Sequence, residues 1–196
     1  MTGGLARIER GVLDHCRRSP DRVAVRGDGD LTYAALDALS AKAATRLSEL
    51  AVSGARVAVR MRRGEHLVAA LLAVLRAGAA YVPLDPSHPE DRIRYLLEDT
   101  GPALVITDDT GPVPEFRSVR FADLIGGDAV DAVAPPASPS RSAYIVHTSG
   151  TTGRPKGVEV AHRSVLALID AARDELDLLP GAVWSWYHSI AFDFSV

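Results

Sequence analysis

The chain has 196 residues, with 22 Lys and Arg against 25 Asp and Glu, giving a formal net charge of −3 and a pI near 6.1. That balance argues against a general nucleic-acid or anionic-membrane binder, which carries a basic surplus, and 47% apolar with 24% charged residues excludes disorder of the whole chain. A single cysteine, Cys16, excludes an internal disulfide framework and suits a reducing cytosol; no apolar run nears the roughly 20 residues of a membrane span, and Met1–Leu5 shows no signal-peptide pattern, so a soluble, cytoplasmic protein is expected.

Helix-like and strand-like segments alternate along the chain. Leu5, Ile8, Val12 and Cys16 recur at helical spacing, which predicts a helix over about 4–17. Val23-Ala24-Val25 is a short β-favouring run that ends at the turn residues Gly27-Asp28-Gly29-Asp30. A second helix follows, with Thr32 as N-cap and Tyr33, Leu36, Leu39, Ala43, Leu47 and Leu50 along one face. Residues 56–60 read as a strand, and Leu67, Ala70, Leu71, Val74 and Leu75 as a third helix stopping at Gly78. Residues 79–83 return to a strand. Pro89 suits the first position of a fourth helix, with Glu90 and Asp91 at its positive end and Gly101-Pro102 as its stop. The nearly all-apolar run 103–107 predicts a strand covered on both faces.

Residues 126–141 are rich in Gly, Ala, Pro and Ser and read as a surface connection within one domain. Strands are then predicted over 142–147, 158–160 and 182–187, and a fifth helix on Val165, Leu168, Ile169, Ala172 and Leu176. This alternation predicts an α/β fold, a largely parallel sheet with helices on both faces.

The most informative stretch is Thr148-Ser149-Gly150-Thr151-Thr152-Gly153-Arg154-Pro155-Lys156-Gly157, between two predicted strands. Its composition suits a polyphosphate. Glycines let backbone N–H groups approach anionic oxygens, hydroxyls add donors, and Lys156 supplies a point charge. It is not a Walker A loop, because Pro155 rather than a glycine precedes Lys156. A serine-hydrolase elbow also fails, since position 147 is His where that motif needs Gly. The six histidines show no metal spacing. Arg60, Arg62 and Arg63 read as a solvated loop, and Asp85, between two prolines, as a turn residue.

The string 148–157 resembles the signature of adenylate-forming, AMP-binding enzymes, a superfamily that includes acyl-CoA synthetases, luciferases and the adenylation domains of nonribosomal peptide synthetases. Three further segments resemble core motifs of the adenylation domains in the expected order: 31–36 the first, 75–85 the second, and His188-Ser189-Ile190-Ala191-Phe192-Asp193-Phe194-Ser195 the fourth. The resemblance implies activation of an amino acid by ATP to aminoacyl-AMP and pyrophosphate, followed by transfer to the phosphopantetheine thiol of a peptidyl carrier protein. Catalysis would be largely electrostatic, with Mg²⁺ at the leaving pyrophosphate.

The implied ATP phosphate-binding residues are Thr148, Ser149, Gly150, Thr151, Thr152, Gly153 and Lys156, with Lys156 catalytic. Asp193 would bind the α-ammonium of the amino acid, with Phe192 beside it. A small activator of the MbtH-like family is a further implied partner.

Two positions depart from the common pattern. Ala35 stands where the family has Glu, which removes half of a capping box, and His147 stands where an aromatic residue is common. The family's adenine, ribose and mobile-lysine motifs lie beyond the fourth motif. Residues 1–196 are therefore expected to be a partial adenylation domain, truncated after that motif and inactive without the remainder. A non-catalytic half that completes a split enzyme, and a fragment of an acyl-CoA synthetase, are the alternatives.

Overall fold

The computed structural model describes residues 7–108, 111–127, 140–148, 154–175 and 181–191. Helix α1 (Ile8–Arg18) has Glu9 in its first turn and His15, Arg17 and Arg18 in its last, the arrangement that the helix dipole favours. Strands β1 (Val23–Val25) and β2 (Leu31–Thr32) form a small antiparallel ribbon. Thr32 ends it and caps α2 (Tyr33–Glu49), its Oγ1 accepting the Ala35 N–H at 3.2 Å. The cap therefore survives the loss of glutamate at position 35, because the hydroxyl half of the capping box needs only a backbone donor.

The main sheet has six strands in the order β6-β5-β3-β4-β7-β8. Its elements are β3 (Arg56–Arg60), α3 (Glu65–Arg76), β4 (Ala80–Leu84), α4 (Glu90–Thr100), β5 (Leu104–Thr107) and β6 (Ser118–Arg120). After them come α5 (Phe121–Ile125), β7 (Ser142–Thr148), β8 (Lys156–Ala161) and α6 (His162–Glu175). Every pairing is parallel except β7 with β8. Both faces are covered, as such a sheet requires. Val57, Val59, Tyr81, Leu104 and Ile106 point to the face packed by α2, α3 and α5. Ala58, Val82, Leu84 and Val105 point to the other, packed by Ile93, Leu96 and Leu97 of α4.

Helix ends follow the local chemistry. Gly78 adopts φ +78° after α3, and Gly101 caps α4 in the left-handed region at φ +53°. Pro89 occupies the N-cap of α4, one residue before the expected place.

Three elements were not anticipated, β2, β6 and α5. Each is shorter than a periodicity window, yet α5 buries Phe121 and Leu124 almost completely. The strand expected over 182–187 does not form. That stretch is irregular, with Val183, Trp184 and Tyr187 exposed, and among the described residues no strand pairs with it. Of the 126–141 connection, positions 126, 127, 140 and 141 carry no regular element, and 128–139 lie outside the described residues. Leu5 and Leu176, expected at the ends of the first and last helices, also lie outside them. Among the described residues no helix is long and apolar enough to cross a membrane.

Phe121 is 2% exposed and packs into the cluster beneath α2 and α3. Phe121→Ala should therefore cost about 3–5 kcal/mol, whereas Leu168→Ala, at a residue 60% exposed, should cost under about 0.5 kcal/mol. Urea unfolding of both variants measures the difference.

Candidate active site

In open parallel sheets, ligands bind outside the carboxyl ends of the strands, where successive crossovers leave to opposite faces. Here β3 leads to α3 on one face and β4 leads to α4 on the other. A cleft of about 370 Å³ lies between the two strand ends, lined by Met61, Arg62, Arg63, Asp85, Trp186 and Ser189 among others.

Next to it, β4 and β7 part early. The Ala80 N–H bonds the Ala55 carbonyl on the β3 side at 3.0 Å. Alternation along the strand then turns positions 81 and 83 toward β7. Position 83 is proline and has no N–H to give. The pairing of β4 with β7 is confined to Tyr81↔Tyr144, whose rings stack with centroids 5.4 Å apart. The carboxyl ends of the two strands are thus free to diverge.

The two described ends of the polyphosphate-like string, Thr148 and residues 154–157, sit beside this opening. Thr148 is the last residue of β7 and Lys156 the first of β8, and the two stand opposite each other in antiparallel register, with His147 opposite Gly157. Lys156 and Arg154 are exposed. The structure thus brings Thr148 and Lys156 together at the base of one hairpin. Ser149, Gly150, Thr151, Thr152 and Gly153, together with Phe192 and Asp193, lie outside the described residues.

Helix α4 touches both feet of the hairpin. The Tyr95 hydroxyl donates to the Pro155 carbonyl at 2.9 Å, and His147 Nε2 meets Asp99 Oδ2 at 3.0 Å. Gly157 permits this approach. A Cβ there would lie 3.2 Å from Asp99 Oδ2, 3.2 Å from Ile145 Cγ2 and 3.4 Å from His147 Nε2. Burial pushes the His147 pKa below its ordinary value, against the pull of the Asp99 carboxylate. The neutral ring then donates its Nε2 hydrogen to Asp99.

Sequence reasoning read Asp85 as a turn residue, and it is one. Its Oδ1 accepts from the Ser87 N–H at 2.9 Å and from the Ser87 hydroxyl at 2.7 Å. Its Oδ2 also accepts from the Ser189 hydroxyl, which joins the second motif to the start of the fourth. Burial alone would raise the Asp85 pKa, but the hydrogen bonds from Ser189 and Ser87 outweigh it and hold the carboxyl below its usual value. Proline on either side of Asp85 was the only signal available in the sequence.

The arginine cluster divides: Arg62 and Arg63 are exposed, as a solvated loop predicts, whereas Arg60 is not. Arg60 is buried at the end of β3 and forks onto Glu90, the first residue of α4. Arg62 pairs with Asp108. Arg63 donates to the Trp186 carbonyl at 3.0 Å, with its guanidinium 5.7 Å from the Trp186 ring centroid. A buried guanidinium needs a charged partner, which Glu90 supplies, whereas Arg62 and Arg63 keep their partners while facing solvent.

The family model described as "AMP-binding enzyme" matches residues 12–196. Syringomycin synthase SyrB1 of Pseudomonas syringae pv. syringae is 40% identical over 191 residues, 93% of this chain and 31% of that protein. AMB antimetabolite synthetase AmbB of Pseudomonas aeruginosa is 41% identical over 202 residues, 95% of this chain and 16% of that protein. Among solved structures, the nonribosomal peptide synthetase FmoA3 superposes with a TM-score of 0.87 at 29% identity, covering 100% of this chain and 21% of that one. The N-terminal subdomain of NpsA from Klebsiella oxytoca, in complex with 3-hydroxybenzoyl-AMSN, gives 0.79 at 28% identity, covering 96% and 49%. The chain belongs to the AMP-binding enzyme family. Its sequence and fold match those of nonribosomal peptide synthetase adenylation domains, and it spans a third or less of the length of these two curated relatives.

Burial lowers the pKa of His147, and also of His88 and His162. The unfolded chain therefore binds protons at these groups before the folded chain does. Their contribution is fully present above the unfolded value near 6.5 and is lost as pH falls below it. Unfolding free energy should hence decline between pH 7 and 5, each histidine steepening the slope by at most about 1.4 kcal/mol per pH unit. His147→Gln should flatten part of that slope in a urea titration series.

Proposed function

We propose that this chain forms the phosphate-binding part of an adenylation domain that activates an amino acid for nonribosomal peptide synthesis. In that reaction, ATP and the amino acid give aminoacyl-AMP and pyrophosphate. The acyl group then passes to the phosphopantetheine thiol of a peptidyl carrier protein. The observation that carries the reading is the hairpin 148–156, based on Thr148 and Lys156 beside the β4–β7 opening. FmoA3 has been solved with AMPPNP and with α-methyl-L-serine-AMP, which supports nucleotide and aminoacyl-adenylate binding by this fold.

Each residue has a defined task. Lys156 offsets the charge that develops on the leaving pyrophosphate, and Thr148, Ser149, Gly150, Thr151, Thr152 and Gly153 donate to the phosphate oxygens. Asp193 pairs with the α-ammonium beside Phe192, since a desolvated cation needs a charged partner. Among the described residues no group of three or more His, Cys, Asp or Glu could hold a metal ion. Mg²⁺ would arrive on the nucleotide's own phosphate oxygens. An MbtH-like activator is a further proposed partner.

ATP–pyrophosphate exchange by the full-length natural polypeptide containing this chain tests the phosphate reading. Lys156→Ala with Thr151→Ala should raise the ATP KM or lower kcat by about 1.5–3 kcal/mol for each charge-assisted bond lost. An unchanged rate and KM would refute the assignment.

Asp193→Ala should raise the amino-acid KM and leave the ATP KM nearly unchanged. Ready use of the des-amino acid, or of a hydroxybenzoate, by the parent would contradict the ammonium role. Residues 1–196 in isolation should show no amino-acid-dependent exchange, because the adenine, ribose and mobile-lysine contacts are not among their motifs. Robust turnover by that polypeptide would overturn this part of the proposal.

A further inference from the structure

We infer that Tyr95 and Asp99 of α4 are positioning residues for the phosphate loop, clamping both feet of the 148–156 hairpin; this rests on the phosphate reading proposed above. The two side chains lie four residues apart, on one face of α4. They meet the hairpin one residue outside Thr148 and one residue before Lys156. Tyr95 holds Pro155 through its carbonyl, and Asp99 holds His147 through Nε2.

The hairpin needs such a hold. Thr148 and Lys156, which flank the loop, close β7 and open β8, and among the described residues β8 is the last strand of the sheet. Among the described residues β7 is the one strand whose backbone ladders with β8, and Arg56 of β3 adds a side-chain bond to Glu159. A phosphate loop acts by aiming donors at fixed points, so a swing of its feet weakens every contact at once. Tyr95 and Asp99 supply a further line of attachment, from the sheet face, at the residues that flank the loop. The space is close-fitting: a Cβ at Gly157 would press on Asp99, Ile145 and His147, which would have to give by a few tenths of an ångström.

The docking of α4 does not depend on these two residues. Ile93, Leu96 and Leu97, each 2% exposed or less, already seat the helix on the sheet. Tyr95 packs only partly buried against that cluster, and the Asp99 side chain is 38% exposed. Their hydrogen bonds are directed at the hairpin rather than the core.

Hydrogen exchange read by mass spectrometry on the full-length natural polypeptide, with and without inorganic pyrophosphate, tests the inference. In the parent, pyrophosphate should protect the amides of 149–157. Without ligand, Tyr95→Phe and Asp99→Ala should each exchange those amides about fivefold faster, as the loss of one net hydrogen bond gives. Amides of β3 and β4 should keep the parent rate. The pyrophosphate concentration for half-protection should rise by a similar factor. Asp99→Asn, which keeps an acceptor for the histidine N–H, should restore parent behaviour.

Absence of protection in the parent would overturn the phosphate reading and the inference with it. Protection in the parent, with both variants indistinguishable from it, would overturn the inference alone. So would an acceleration spread equally over β3 and β4.

Discussion

A parallel sheet whose central strands bury nearly every side chain must be roofed on both faces, and that requirement sets the rest of this molecule. Val57, Ala58 and Val59 of β3 are fully buried, with alternate residues facing opposite helix layers. The crossover after β3 must therefore take one face and the crossover after β4 the other. Their loops separate at the strand ends, and a cleft opens there without any dedicated element to build it. The missing N–H of Pro83 widens the same opening on its other side, where β4 would otherwise keep pairing with β7. Both causes lie in the backbone, so the site's location is independent of the identity of its polar residues.

The polar residues then set its chemistry. Arg60, Asp85 and Asp108 all follow the carboxyl ends of parallel strands or close them, and each is tied to a different element: Glu90 of α4, Ser189, and Arg62. Such links hold the rim in one geometry at modest energetic gain, since exposed ion pairs contribute about 0–1 kcal/mol. Only the Arg60 guanidinium is deeply buried, and there the loss of Glu90 would leave a desolvated charge, a larger penalty than the pair itself is worth. Their value lies in orientation more than in stability.

Much of this was legible in the sequence where the signal is local. Apolar runs placed β3, β4, β5 and β7, and the 3.6-residue period placed α2, α3 and α4 with their Thr32, Gly78 and Gly101 punctuation. What escaped is non-local or short. Tyr95 meets Pro155 across 60 residues and Ser189 meets Asp85 across 104, distances at which no periodicity links them. β6 and α5 are three and five residues long. The run 182–187 shows the converse error: β-favouring side chains describe a residue that fits a pleated surface, and they form a strand only where a neighbour supplies the ladder. Of the candidate site, the string 148–157 was plain because its small residues, hydroxyls and single lysine are contiguous, whereas the helix that holds it was invisible because its contribution is two side chains on an otherwise ordinary amphipathic face.

That division of labour on α4 explains why one helix can serve both the fold and the site. Its apolar stripe, Ile93, Leu96 and Leu97, faces the sheet, and nothing about that stripe specifies a ligand. Its N-terminal residue, Glu90, reaches back to the end of β3. Two later positions, Tyr95 and Asp99, reach forward to the hairpin. The helix thus bridges the strand before the cleft and the loop beyond it, on the face where α4 supplies the helical cover. Loosening the apolar stripe would shift the cleft rim and the hairpin together, whereas altering Tyr95 or Asp99 would shift the hairpin alone. Stability and loop position are therefore separable in this chain, because they rest on different sides of the same helix.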